Sequence, residues 1–236
     1  MNKTLKLFIS AGIVLAIVAA YFWFRRPQYI SNGGRNAQVL RWIRGGGDVP
    51  EWTVKANTRC GEAPFQLPTD GFIGYLWDDS FRPGHRHQGI DIFGVPTVGI
   101  TPVYAAYDGY LTRRADWKST IVIRIPEDPL HPGRQIWTYY THMADADGNS
   151  TILADFPPGT NEVPVKAGAL IGYQGNFSGT PGSPVGVHLH FSIVLDNGSG
   201  QIRNELDIAN TLDPSPYFNL NLNAHTNEGE VPLCRE

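Results

Sequence analysis

Charge is scarce in this chain. Asp, Glu, Lys and Arg make up only 17% of its 236 residues, against about a quarter in ordinary soluble proteins. The apolar fraction of 42% is nevertheless too high for a disordered chain, which cannot bury enough surface to fold. There is no collagen period, no heptad run and no internal repeat, and long helical periodicity is missing after about residue 68. A net charge of −3 argues against general nucleic-acid binding, which needs a basic footprint. What the chain has in quantity is 26 Gly and 18 Pro, the composition of many turns between short strands rather than of a helical bundle.

The little charge present is unevenly placed. Residues 1–24 carry two lysines and no acid, residues 25–59 carry seven Lys/Arg against two acids, and the remainder is left at −10. Between Lys6 and Arg25 lie 18 uncharged residues, Leu7 to Phe24. As a helix they span about 27 Å, close to a hydrocarbon core of about 30 Å. Tyr21 to Phe24 stand where an interfacial aromatic belt would lie, and Arg25-Arg26 ends the run. The alternative is a cleaved signal peptide, for which Val18-Ala19-Ala20 offers small residues. The apolar run continues through four aromatics past that point, so a retained transmembrane anchor over 7–24 is expected, after a cytoplasmic tail 1–6. The arginines beyond it, taken alone, argue for the opposite orientation. Cys60 and Cys234 bracket the acidic body and form no CxxC pair. A disulfide tying the body's ends in an oxidising compartment is one reading, and two separate thiols the other.

Residues 25–59 (NGGR, RGGGD) read as a basic linker with one short helix near 38–43, serving as a spacer or lying against anionic headgroups. After Pro68 the pattern is β. Segments 89–93, 103–106, 110–113, 120–125, 135–142, 170–173 and 188–195 are rich in β-branched and aromatic residues and bounded by Gly, Pro, Asp or Asn. The apolar TIVIRI at 120–125 suits a central strand, and 203–212 a helical turn or two. The expected fold class is mostly β, an antiparallel sheet with long loops, preceded by one N-terminal transmembrane helix.

The histidines carry the chemistry. His188 and His190 are two apart at the start of an apolar strand, so both imidazoles leave one face while Leu189 and Phe191 leave the other. A metal or a proton-shuttling role explains tolerating the pair. His87 and Asp91 are four apart, which a straight strand separates by about 13 Å. Shared ligation therefore needs a bend, for which Gly89 is the candidate. In Trp137–His142, alternation puts Tyr140 and His142 on one face. Two His and one carboxylate leave a coordination position open, which suits a catalytic rather than a structural zinc. There is no HExxH glutamate to act as general base. A non-haem Fe(II) site uses the same ligand types, and His85-Arg86-His87 with Asp91 superficially matches a cupin motif. Neither rival accounts for the second HxH or for the YTHM segment between the clusters.

Five pieces in order, HQGIDI (87–92), TPVYAAYDGY (101–110), YYTHM (139–143), VKAGALIGYQGNFSG (165–179) and GVHLHF (186–191), resemble the lysostaphin/LytM-type zinc metalloendopeptidases. The likeness covers about 68–195, with a weaker tail at 213–217. It implies one zinc held by His87, Asp91 and His190, with His142 and His188 as catalytic groups whose division into general base and oxyanion stabiliser stays open. It gives His85 no role. Gly186-Val187 stands where Gly-Pro is usual, and 145–161 is an insert suited to a groove wall. The implied substrate is a peptide bond in bacterial peptidoglycan. That puts a metallopeptidase domain, 60–236, on the outer side of the bacterial cytoplasmic membrane, in keeping with a Cys60–Cys234 bridge. The alternative is a noncatalytic LytM-like scaffold for a cell-wall hydrolase. No nucleic-acid partner is expected.

Overall fold

The computed structural model describes residues 33–80 and 84–234. The expected tail, the expected anchor at 7–24 and the first part of the linker lie outside them. Among the described residues no helix is long and apolar enough to cross a membrane.

The main element is an antiparallel sheet. Its strands are β1 (Thr53–Val54), β2 (Gly71–Tyr75), β3 (Ile90–Phe93), β5 (Gly109–Thr112), β6 (Ile121–Ile125), β7 (Ile136–Thr141), β8 (Val163–Val165), β10 (Leu189–Leu195) and β11 (Thr211–Leu212). They lie in the order β1-β2-β3-β10-β7-β6-β5-β8, with β11 also pairing β10. A second, two-stranded sheet joins β4 (Pro102–Tyr104) to β9 (Leu170–Tyr173). All pairings between these strands are antiparallel. The mostly β antiparallel class is therefore as expected, and TIVIRI does run inside the sheet, between β7 and β5.

Alternation divides the sheet chemically. Ile73, Ile90, Ile92, Leu111, Ile121, Ile123, Ile136, Tyr140, Leu189, Phe191 and Ile193 enter one buried core. Each such side chain contributes about 1.5–3 kcal/mol on burial. The other face carries a different load. At one end Phe72 and Phe93 pack against Val39 and Trp42 of helix α1 (Gly33–Arg44). At the far end Val122, Trp137 and Val194 form a small cluster with Trp117 and Tyr139 against it. Between them stand Asp91 and the histidines.

Helix α1 extends the short helix expected near 38–43 back to Gly33 and is held down by polar contacts as well as by its apolar stripe. Trp42 Nε1–H donates to the Gly94 carbonyl at 2.9 Å. The Tyr75 hydroxyl donates to Asn36 Oδ1 at 2.6 Å. Cys60 and Cys234, 174 residues apart, are joined by a disulfide. The expected helical turns at 203–212 reduce to a 3-10 turn at Ile208–Asn210. The preceding loop, from 203 to 207, is used otherwise. Near the C-terminus the short helix α2 (Ser215–Phe218) adds Tyr217 and Phe218 to the core.

Candidate metal centre

Pairing register builds the centre. His190 lies directly opposite Asp91 across β10 and β3, and opposite Thr141 across β10 and β7. Residues directly opposite in a ladder share a face, so the imidazole and the carboxylate meet without any loop to position them. His188, just ahead of β10, leaves by the same face. His87 reaches the group from outside β3. The chain bends at Gly89 as expected, but not through a left-handed backbone. A Cβ at Gly89 would lie 2.1 Å from the Phe191 carbonyl oxygen, so glycine is required by the close approach of β10. His142 follows β7 with φ 69°, an uncommon left-handed conformation outside glycine that costs about 1–3 kcal/mol and is characteristic of functional sites.

The donor atoms converge. His87 Nε2, Asp91 Oδ1 and His190 Nδ1 are separated by 3.1, 3.0 and 2.8 Å. All three side chains are buried. Ligands about 2.0–2.2 Å from a tetrahedral ion lie about 3.3 Å apart, close to this triangle. Protons decide whether the fit is real. His87 Nδ1 sits 2.8 Å from the Leu76 carbonyl, which can only accept, so Nδ1 carries the proton. His190 Nε2 is 2.9 Å from the Glu205 carboxylate and in the neutral ring carries its proton there. His87 Nε2 and His190 Nδ1 then present lone pairs to each other and to Asp91 Oδ1. Three acceptors facing inward with no donor among them fit a cation. This His87, Asp91, His190 group can hold a metal ion.

The ionisation of the groups points the same way. In the metal-free protein burial pushes the Asp91 carboxyl up, but the positive charge that His87, His188 and His190 bring when they are protonated in place of a cation holds it well below the usual carboxylate range. Burial lowers His190, yet its hydrogen bonds to Asp91 and Glu205 take it up to about 10. Positive charge is favoured at this point, as a proton or as a metal.

Two further imidazoles border the triangle. His188 Nδ1–H donates to the Gly186 carbonyl and His142 Nδ1–H to the Phe177 carbonyl, each at 2.6 Å. Both therefore turn Nε2 away from the backbone. His188 Nε2 is 3.6 Å from Asp91 Oδ1, and the two rings lie 4.5 Å apart. Burial lowers His188. Burial, with the His188 and His190 charges, lowers His142 to about 3. Burial therefore favours the neutral form of both rings, with the lone pair on Nε2. The Phe177 carbonyl reaches His142 because Gly175 lets the GNFSG segment close on it; a Cβ there would meet the Ala144 carbonyl oxygen at 2.1 Å.

All five expected side chains are thus brought to one place on one sheet face. His85 is half-buried beside His87, ring centroids 6.5 Å apart. His131 and His225 are exposed and lie elsewhere. Two residues escaped the sequence reading. Tyr75, opposite Asp91 in β2, is raised to about 12 by burial and by the Asp91 and Asp79 charges. Glu205 lies beneath His190. The two glycines of GFIGY mask the alternation that would have revealed the first; nothing in the spacing of Glu205 gives it away.

No protein-family model matches this chain, and no curated protein matches it. Among the solved structures it resembles are lysostaphin and LytM-type proteins. The lysostaphin catalytic domain of Staphylococcus simulans is 22% identical with a TM-score of 0.40, over 63% of this chain and 90% of that one. The catalytic domain of the prophage-encoded protein EnpA of Enterococcus faecalis is 21% identical with a TM-score of 0.36, over 64% and 94%. A protein of Ruminococcus gnavus described as a glycyl-glycine endopeptidase is 27% identical with a TM-score of 0.36, over 57% of this chain and 47% of that one.

Proposed function

We propose that this chain is a zinc metalloendopeptidase that hydrolyses peptide bonds in bacterial peptidoglycan. The observation that carries the reading is the inward-facing set of two imidazole lone pairs and one carboxylate oxygen, flanked by two neutral imidazoles that are not part of it. What zinc supplies when bound in such a set is Lewis acidity and a water molecule acidic enough to ionise near neutral pH. His87, Asp91 and His190 hold the ion. His142 and His188 keep Nε2 unprotonated through their backbone bonds, so either accepts the proton of an attacking water. The ring that takes this proton becomes an Nε2–H donor and can then steady the oxyanion developing on the scissile carbonyl.

The five ordered sequence pieces support a peptidoglycan peptide as substrate, and the disulfide supports an oxidising compartment. On this reading residues 1–6 are cytoplasmic, 7–24 anchor the chain in the bacterial cytoplasmic membrane, 25–59 connect, and 60–236 work outside it. The test is digestion of purified sacculi by the full chain in detergent, with and without a chelator. New amino termini released only without chelator, and restored by added zinc, are the expected result. Binding to sacculi with no release at any zinc concentration would replace the enzyme with a noncatalytic scaffold.

A further inference from the structure

We infer that Glu205 is a positioning residue for the metal centre, fixing the proton of His190 and supplying the second negative charge that a bound dication requires; this rests on the zinc reading above. Glu205 comes from the loop between β10 and β11, far from the five sequence pieces that define the site. Its Oε1 accepts from His190 Nε2–H and from the Ser192 hydroxyl, both at 2.9 Å. Ser192 is two residues beyond His190 on the same face of β10, so the carboxylate spans consecutive side chains of the ligand-bearing strand.

The charge count makes the case. Glu205 is only 8% exposed, and among the described residues no Lys or Arg pairs with it. A buried carboxylate is expensive unless paired or near a metal. Two neutral imidazoles and Asp91 give the ligand set one negative charge, which leaves a dication half-compensated. Glu205, acting through the His190 ring, completes neutrality. It also fixes the tautomer, since an imidazole that donates from Nε2 keeps its Nδ1 lone pair for the ion. Hydrogen-bonded partners of this kind typically change metal affinity by about 10–100-fold.

The loop is built to hold that position. Leu206 N–H donates to Asn204 Oδ1 at 3.2 Å, and Asn210 Nδ2–H to the Asn204 carbonyl at 2.9 Å. Gln88 Nε2–H donates to the Leu206 carbonyl at 3.0 Å. One short loop therefore touches both ligand-bearing segments, through Gln88 beside His87 and through Glu205 under His190.

The experiment measures the zinc dissociation constant of the full chain in detergent by competition with a chromogenic chelator, for the parent, Glu205→Gln, Glu205→Ala and Ser192→Ala. Glu205→Ala is expected to weaken zinc by about 10–100-fold. Glu205→Gln keeps an acceptor for His190 but loses the charge, and is expected to fall between parent and Glu205→Ala. Ser192→Ala removes a donor to the carboxylate without touching His190 and is expected to change affinity less than either. Denaturant unfolding in excess chelator checks each fold; a purely structural residue would shift that midpoint and leave the affinity of the folded fraction alone. Zinc affinity within about twofold of the parent in both Glu205 variants overturns the inference and leaves the endopeptidase reading intact. Zinc bound by the parent without peptide cleavage sinks the endopeptidase and leaves Glu205 in its role. A parent that binds no zinc overturns both.

Discussion

Removing the Cys60–Cys234 bridge should destabilise the domain far more than an average substitution. The bridge closes a loop of 174 residues, nearly the whole body. In the chain-entropy account, closing a loop of that length removes denatured-state freedom equivalent to about 5 kcal/mol. Measured losses fall below that ideal, so about 3–5 kcal/mol is expected for Cys60→Ser with Cys234→Ser, against a typical domain stability of about 5–15 kcal/mol. The native side adds to it. The tail that Cys234 secures carries Asn227, whose Oδ1 and carbonyl accept from Arg35 at 3.2 and 3.1 Å. Arg35 in turn pairs with buried Asp79 at 3.2 Å. The Asp79 carbonyl receives the His87 N–H at 2.8 Å, and Asp78 N–H donates to the His87 carbonyl at 2.8 Å. Freeing the tail therefore loosens the support of a ligand as well as the fold. Equilibrium denaturation in chelator, followed by tryptophan fluorescence, would measure the loss, and a reductant added to the parent should reproduce it. A difference below about 1 kcal/mol, with the parent's bridge confirmed by mass, would refute the reasoning.

Three further outcomes can be measured. His190→Ala should abolish stoichiometric zinc and activity together, whereas His188→Ala should retain zinc and lose about 10²–10⁴-fold in peptide cleavage; metal analysis beside a kinetic assay separates the two. In the metal-free protein, His142 is lowered to about 3 from an unfolded value of about 6.5. Between those values the unfolded chain binds the extra proton, so this group's contribution to stability is present above about pH 6.5 and is lost as pH falls toward 3. His142→Gln should flatten that limb in denaturation midpoints taken across the range, and an unchanged slope would count against a buried neutral imidazole. Gly89→Ala should cost more than about 3 kcal/mol and destroy zinc binding, because its Cβ would fall 2.1 Å from the Phe191 carbonyl oxygen; circular dichroism and metal content would show it.

The parts of the fold that were legible are those whose residues obey one local rule. Segments 120–125, 135–142, 170–173 and 188–195 match β6, β7, β9 and β10 to within a residue or so, because β-branched runs between turn formers leave few other options. β2 was missed. Its Gly71 and Gly74 lower strand propensity, yet tertiary packing demands them: a Cβ at Gly71 would lie 2.3 Å from the Phe93 carbonyl oxygen, and one at Gly74 2.7 Å from Val39. Helix α1 is expected from the sequence only over its second half, 38–43, since Gly33-Gly34 and Gly45–Gly47 read as linker. What makes it a longer helix is Trp42 and Val39 finding Phe72 and Phe93, a pairing no local pattern contains.

The site divides along the same line. HxH on a strand is a two-residue statement about one face, and the pairing of β10 with both β3 and β7 at His190 fixes which face that is. That Asp91 belongs to the same face follows only from register, Asp91 opposite His190, which becomes readable once several motifs are taken together. Glu205 belongs to a third category. It contacts His190 across 15 residues by way of an irregular loop, so no period of 2 or 3.6 connects the two. Yet the electrostatic need for it could have been stated beforehand: one carboxylate and two neutral imidazoles do not balance a dication in a buried site. A sequence reading that counts charge as well as ligands would look for a second acid near the end of β10. Within that loop it would have three candidates, Asp196, Glu205 and Asp207, of which only Glu205 turns under the strand; Asp196 accepts from Gln135 Nε2–H and Trp137 Nε1–H, and Asp207 caps the 3-10 turn through Ala209 N–H.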